Sequence, residues 1–193
     1  MIKIYPEEEV KQGTQLWLDM RKNYCTGTDC HSLLRGESVE NLLAKKKTAR
    51  GFGGNYYTRR GHLLEDEAKK IYSEVYGPTT NAGFITNDKY PLAGYSPDGL
   101  VGEDGLVECK AFQESHHLKC AKAIDAQILA QIQHGLFVSE RQWCDLILYN
   151  PDMDDPEKAF IVKRVKPIKA IQDKLKDIFK KSPTKSIDSG EKV

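Results

Sequence analysis

No stretch of this 193-residue sequence approaches the roughly 20 consecutive apolar residues that cross a bilayer, so a helical membrane span is excluded. The first ten residues carry Glu7-Glu8-Glu9 where a secretion signal would run from basic to apolar, and the expected location is the cytoplasm. Cysteine is present without a pattern. Cys25, Cys30, Cys109, Cys120 and Cys144 are odd in number and include no CxxC pair. That argues against a disulfide framework, a zinc ribbon or an iron–sulfur site, and for reduced thiols. A basic excess is missing too: 29 Lys and Arg stand against 28 Asp and Glu, for a net charge of +1. Nucleic-acid binders often carry more, but a basic face beside an acidic site also sums to near zero. Internal repeats are absent.

What is there fits one domain over residues 1–180, followed by a Lys-, Ser-, Pro- and Thr-rich tail over 181–193 that is expected to be disordered. Apolar spacing predicts helices over residues 14–22, from Thr26 or Thr28 to Gly36, and over 59–76, 124–138 and 168–179. Residues 37–60 read as a loop with a helical piece over 40–47, interrupted by Gly51-Phe52-Gly53-Gly54. Strands are predicted over 82–86, 92–96, 106–111, 143–149 and 159–165, with turns at Pro97-Asp98-Gly99, Gly102-Glu103-Asp104-Gly105 and Asn150-Pro151-Asp152. The order gives an α/β (α+β) class, with a small central mixed sheet flanked by helices.

One segment carries chemistry. Ser96-Pro97-Asp98-Gly99-Leu100 is followed, after a short hairpin, by Val107-Glu108-Cys109-Lys110. Asp98 at the end of one strand and Glu108 in the next can reach a common point, and two hard oxygen ligands suit Mg²⁺, with Mn²⁺ as a substitute. Period two in a strand puts Lys110 on the same face as Glu108. A divalent ion offsets phosphate charge and acidifies water, while a lysine stabilises charge as it develops, so these are the parts that phosphodiester hydrolysis needs. Glu65, on the preceding helix, could hold a water or a second ion. Taken singly, each feature is ordinary: Asp in a Pro-Asp-Gly turn is turn chemistry, and Glu-x-Lys on a strand is a solvated face. Arg21, Thr28, Gln131 and Glu65 likewise have bland readings as surface, cap or polar-face positions. His116-His117 is assigned to a loop, since adjacent histidines rarely converge on one ion.

The combination resembles the PD-(D/E)xK nucleases, and more narrowly the lambda-type phage exonuclease (YqaJ-like viral recombinase) family. The likeness is carried by Trp17-Leu18, Arg21 and Thr26-Gly27-Thr28; by Gly61 with Glu65; by Gly94 to Leu100 and Leu106 to Lys110; and by Gln131-Ile132-Gln133 and Tyr149-Asn150-Pro151. It implies a restriction-endonuclease-like core. It also implies that Asp98, Glu108 and the Cys109 carbonyl ligate Mg²⁺ and that Lys110 positions or activates water. Glu65 would assist at the metal-water shell, and Gln131 would orient Lys110 or substrate. Arg21, Thr28 and Ser96 would contact a 5′-terminal phosphate. The activity implied is 5′→3′ digestion of one strand of linear double-stranded DNA to make single strands for recombination, in the cytoplasm of a phage host. The expected partners are double-stranded DNA ends, a single-strand annealing protein and further copies of the chain in a trimer. Two other readings compete: a structure-specific or nicking endonuclease with the same core, and a non-catalytic DNA-end-binding module.

Overall fold

The computed structural model describes residues 1–49 and 56–182. Among these residues the elements follow one another as β1 (Ile2–Pro6), α1 (Gln15–Lys22), a 3-10 turn (Gly27–Asp29), α2 (Cys30–Leu34), α3 (Val39–Thr48), α4 (Tyr56–Tyr76), β2 (Ala82–Asn87), β3 (Gly94–Tyr95), β4 (Gly99–Val101), β5 (Gly105–Lys110), α5 (Glu114–Lys122), α6 (Ala126–Ser139), β6 (Trp143–Tyr149), α7 (Pro156–Ala159), β7 (Phe160–Val165) and α8 (Lys169–Lys181). The Gly51 to Gly54 break and residues 183–193 of the expected tail lie outside the described residues. Among the described residues no helix is long and apolar enough to cross a membrane.

The class is mixed α/β as expected, but the strands divide into two sheets. One runs β1-β2-β3 and the other β4-β5-β6-β7. The predicted strand over 92–96 shrinks to Gly94–Tyr95. Pro97 follows one residue later and has no N–H to continue a ladder, so the chain leaves the first sheet and enters β4. An isolated antiparallel bridge pairs Thr80, just before β2, with Leu100 of β4. Sequence patterning passed over β1, which pairs antiparallel with β2, and α5.

The second sheet carries the site. β4 and β5 form an antiparallel hairpin, β5 and β6 run parallel, and β6 and β7 return antiparallel. The parallel pair requires a crossover, and α5 and α6 supply it. β6 sits between two neighbours and is buried from Cys144 to Tyr149, which its apolar run Leu146-Ile147-Leu148 allows. Side chains alternate across this sheet. Leu106, Leu146 and Leu148 face the larger core with Ile132, Leu136 and Leu175. Val107, Ile147 and Tyr149 face a smaller cluster with Ala68 and Tyr72 of α4. Tyr72 donates to Asp145 at 2.7 Å, and Arg164 grips the same carboxylate at 2.8 and 2.9 Å. The buried acid of β6 is thereby matched, and α4 is fixed against the sheet.

Candidate active site

The β4–β5 hairpin brings the acids together. Gly99 pairs with Val107, Leu100 with Leu106 and Val101 with Gly105. The tight turn opens at Gly102 with φ +52°, a left-handed conformation that suits glycine. One more step of this register puts Asp98 opposite Glu108, so both carboxylates rise on one face. The Cys109 N–H donates to Asp98 Oδ2 at 2.7 Å and fixes that side chain against β5. Gly99 makes the approach feasible, because a Cβ there would fall 2.7 Å from Val107 Cγ2.

Glu108 is 0% exposed. Three donors compensate for its burial: Lys110 Nζ and Gln131 Nε2 both reach Oε1 at 2.5 Å, and the Tyr95 hydroxyl reaches Oε2 at 3.2 Å. α6 delivers Gln131 because two glycines let the helix come close. A Cβ on Gly27 would meet Gln131 Cγ at 2.8 Å, and one on Gly135 would meet Tyr95 Cζ at 2.6 Å.

The charges strain against one another. Burial, then the charge of Asp98, pushes Glu108 up to about 7, with Lys110 and Tyr95 opposing. Burial, then the charge of Glu65, pushes Asp98 up to about 6, with Lys110 and the Cys109 N–H opposing. For Lys110, burial pulls downward, but the charges of Glu108 and Asp98 outweigh it and hold the ammonium above its ordinary range. Glu65 is also raised, first by burial, while Lys69 lowers it. Lys69 stands 3.4 Å from Glu65 and 3.3 Å from Asp66. Glu65, Lys69 and Asp98 share the wall of a cavity of about 130 Å³ with Pro97 and Gln12.

This donor set fits a hard divalent ion. Among the described residues no group of three or more His, Cys, Asp or Glu forms a ready-made cage. Mg²⁺ does not require one: it takes one or two carboxylates and fills the rest of its octahedron with water and substrate oxygens. Asp98 Oδ1 accepts no hydrogen bond among the described residues, and Glu108 Oε2 accepts only that of Tyr95. Mutually repelling acids gain most from a cation placed between them.

A second cluster lies beside the first. Arg21 of α1 lies over the Trp17 ring at 4.6 Å and donates to Thr28 Oγ1 at 3.4 Å. Thr28 is exposed, and its hydroxyl is 3.2 Å from that of Thr26. Asp29 Oδ2 accepts from the Thr26 N–H, the Thr26 hydroxyl and Lys46 Nζ, which draws α3 onto this turn. Burial lowers the Arg21 guanidinium, while the charges of Asp29 and Glu108 raise it, so this cluster and the acid centre lie in each other's field. Ser96 is placed differently from Arg21 and Thr28. Its hydroxyl accepts from Trp17 Nε1 at 2.6 Å and donates to the Gly83 carbonyl at 2.9 Å, beneath the Arg21–Trp17 stack.

Asp98, Glu108, Lys110 and Gln131 therefore meet at one point, with Glu65 across the cavity and Arg21 and Thr28 alongside. Sequence reasoning missed Tyr95, Lys46 and Lys69. Tyr95 stood inside the quoted Gly94 to Leu100 segment, which was the one signal for it. The loop assignment of His116-His117 is corrected: both lie on α5. They part company there. His117 is buried with Nε2 2.7 Å from the Lys158 carbonyl, and His116 is exposed. All five cysteines are free.

A family model described as a YqaJ-like viral recombinase domain matches residues 16–142. Among solved structures, an alkaline exonuclease from Laribacter hongkongensis is similar at a TM-score of 0.73 and 24% identity, over 86% of this chain and 90% of that one. The same enzyme in complex with dAMP gives the same values. A phage related exonuclease from Haemophilus somnus 129PT is similar at a TM-score of 0.59 and 13% identity, over 84% of this chain and 93% of that one. At these identities the likeness establishes a shared fold. No significant match was found among curated proteins.

Proposed function

Since the chain belongs to the YqaJ-like viral recombinase domain family, we propose that it is a divalent-metal-dependent deoxyribonuclease that digests one strand of linear duplex DNA from its 5′ end. The observation that carries this reading is the buried Glu108, held by Lys110, Gln131 and Tyr95 beside Asp98. So costly a buried acid is retained where it has a task.

Asp98, Glu108 and the Cys109 carbonyl would hold Mg²⁺, or Mn²⁺ in its place. When bound, the ion supplies positive charge against the phosphodiester and acidifies water. Lys110 stays charged beside Glu108, where it would orient water and meet developing negative charge. Gln131 fixes the Glu108 carboxylate and, through their shared oxygen, the Lys110 ammonium. Glu65 accepts hydrogen bonds from water at the cavity edge. Arg21 and Thr28 contact the 5′-terminal phosphate, with a guanidinium fork and a hydroxyl suited to its oxygens. Ser96 acts from beneath, by holding Trp17 under Arg21. Double-stranded DNA ends are the substrate, a single-strand annealing protein is the expected receiver of the product, and a trimer is the expected assembly.

The test is digestion of three duplexes, 5′-phosphorylated linear, 5′-hydroxyl linear and covalently closed circular, in Mg²⁺ or EDTA. Nucleotides should be released from linear DNA in Mg²⁺ only, faster with the 5′-phosphate. Cleavage of the closed circle would overturn the exonuclease reading in favour of an endonuclease. Cleavage in EDTA would overturn the metal dependence.

A further inference from the structure

His116 and Phe112, just past Lys110 in the chain, form a second feature that the proposed chemistry leaves unused. Phe112 follows Lys110 by two residues, so their Cα atoms lie within roughly 7 Å along the chain. Its ring packs against the larger core. The His116 ring stacks on it, with centroids 3.9 Å apart and planes 20° from parallel. His116 is exposed, so its imidazole is accessible to a further ring. An exposed aromatic stack anchored on the core loses little freedom when a further ring adds to it. Lys119, three residues on and exposed, lies on the same side of α5, while Glu114, two residues back, points elsewhere.

We propose that Phe112 and His116 form a stacking subsite for one unpaired nucleobase of the DNA strand at the active site, with Lys119 facing that nucleotide's phosphate. This rests on the nuclease reading above. A planar π-face beside a cation is the combination that single-stranded nucleic acid takes, and stacking tolerates any base. A base inside a duplex already has both faces covered. The occupant is therefore a base at the strand end, next to the phosphate offered to Asp98 and Lys110.

The experiment uses the full chain and an oligonucleotide duplex with 2-aminopurine at its 5′-terminal or adjacent position. Binding is followed in EDTA by fluorescence, and digestion in Mg²⁺ by steady-state kinetics. The native protein should quench the fluorophore on binding. His116→Ala should lose most of that quenching and raise KM about tenfold, the size of one lost base–aromatic stack. His116→Phe should restore both. Unfolding midpoints of both variants should match the native protein, since the side chain is exposed. Unchanged quenching and KM in His116→Ala overturn the subsite while leaving the nuclease reading intact, because the native protein still digests DNA. An equal loss in His116→Ala and His116→Phe also overturns it, since a ring would not then be what matters. Absence of DNA digestion by the native protein overturns the nuclease reading itself, and the subsite with it.

Discussion

Proton competition at the acid centre gives the sharpest expectation. In the metal-free protein Glu108 titrates at about 7 and Asp98 at about 6, each raised first by burial. The proposed divalent ion would require both ionised, so its apparent affinity should follow the fraction of molecules that have lost both protons. At pH 8 that fraction is about 0.9. At pH 6 it is about 1/11 for Glu108 times about 1/2 for Asp98, or roughly 0.05, and at pH 5 it is roughly 0.001. Apparent affinity should therefore fall about twentyfold from pH 8 to 6 and about fiftyfold more by pH 5, with the two steps belonging to the acids as a pair. Calorimetric titration of the DNA-free protein with Mn²⁺ measures this, and heats in buffers of different ionisation enthalpy count the protons released. Lys110→Met should move the whole profile to higher pH, because the ammonium is what opposes both upward shifts. Stability follows with a definite sign. Both folded values exceed the ordinary 3.8 and 4.5, so this contribution is present below about 4 and is lost as pH rises through 6 and 7. Mg²⁺ should then raise Tm more at pH 8 than at pH 6. An affinity profile flat between pH 7 and 5.5 would refute the reasoning, because it would mean that the acids are already ionised without the ion.

Three further outcomes are expected. Gly27→Ala places a methyl 2.8 Å from Gln131 Cγ and should push that side chain off Glu108; cleavage should fall about tenfold, as in Gln131→Ala, with about 1 kcal/mol lost in urea denaturation. Arg21→Ala should bring the rate ratio of 5′-phosphorylated over 5′-hydroxyl duplex toward one, and Arg21→Lys should not restore it, because the stack on Trp17 and the reach to Thr28 need a guanidinium. His134 is held down to about 4 by burial, so its neutral form favours the folded state above pH 6.5 and that advantage fades as pH falls toward 4. The destabilisation caused by His134→Asn should shrink over the same interval, as followed by urea midpoints.

How much of this was legible in the sequence depended on how local the cause was. Asp98, Glu108 and Lys110 were legible because a hairpin of fixed length brings them together, and strand periodicity alone puts Glu108 and Lys110 on one face. Helix α5 was not, because Gln113 to His117 offers no apolar repeat; its buried positions are filled by Cys120 and by His117, whose ring nitrogen finds the Lys158 carbonyl across the fold. Lys46 sits in Lys45-Lys46-Lys47, which reads as a solvated run. Only the packing of α3 against the Thr26 to Asp29 turn singles out the middle lysine. Ser96 read as a hydroxyl facing a ligand, but Trp17 and the Gly83 carbonyl, remote in sequence, occupy it in the structure.

Those remote contacts also bear on how the two clusters act together. Glu108 Oε1 takes both Lys110 and Gln131. Gln131 reaches it from α6, and α6 rests on Gly27, the residue before Thr28. Asp29 in turn ties that turn to Lys46, and Thr28 accepts from Arg21. A phosphate drawn toward Arg21 and Thr28 therefore loads the same short turn on which the helix carrying Gln131 is seated. Movement of that turn by a few tenths of an ångström alters the contact between Gly27 and Gln131, because nothing larger than hydrogen fits between them. The path from the proposed terminal-phosphate contacts to Glu108 is thus a few packed contacts long. A substitution anywhere along it should change KM and kcat together, whereas truncation of Glu65, across the cavity, should leave the preference for a 5′-phosphate as it is and lower kcat alone.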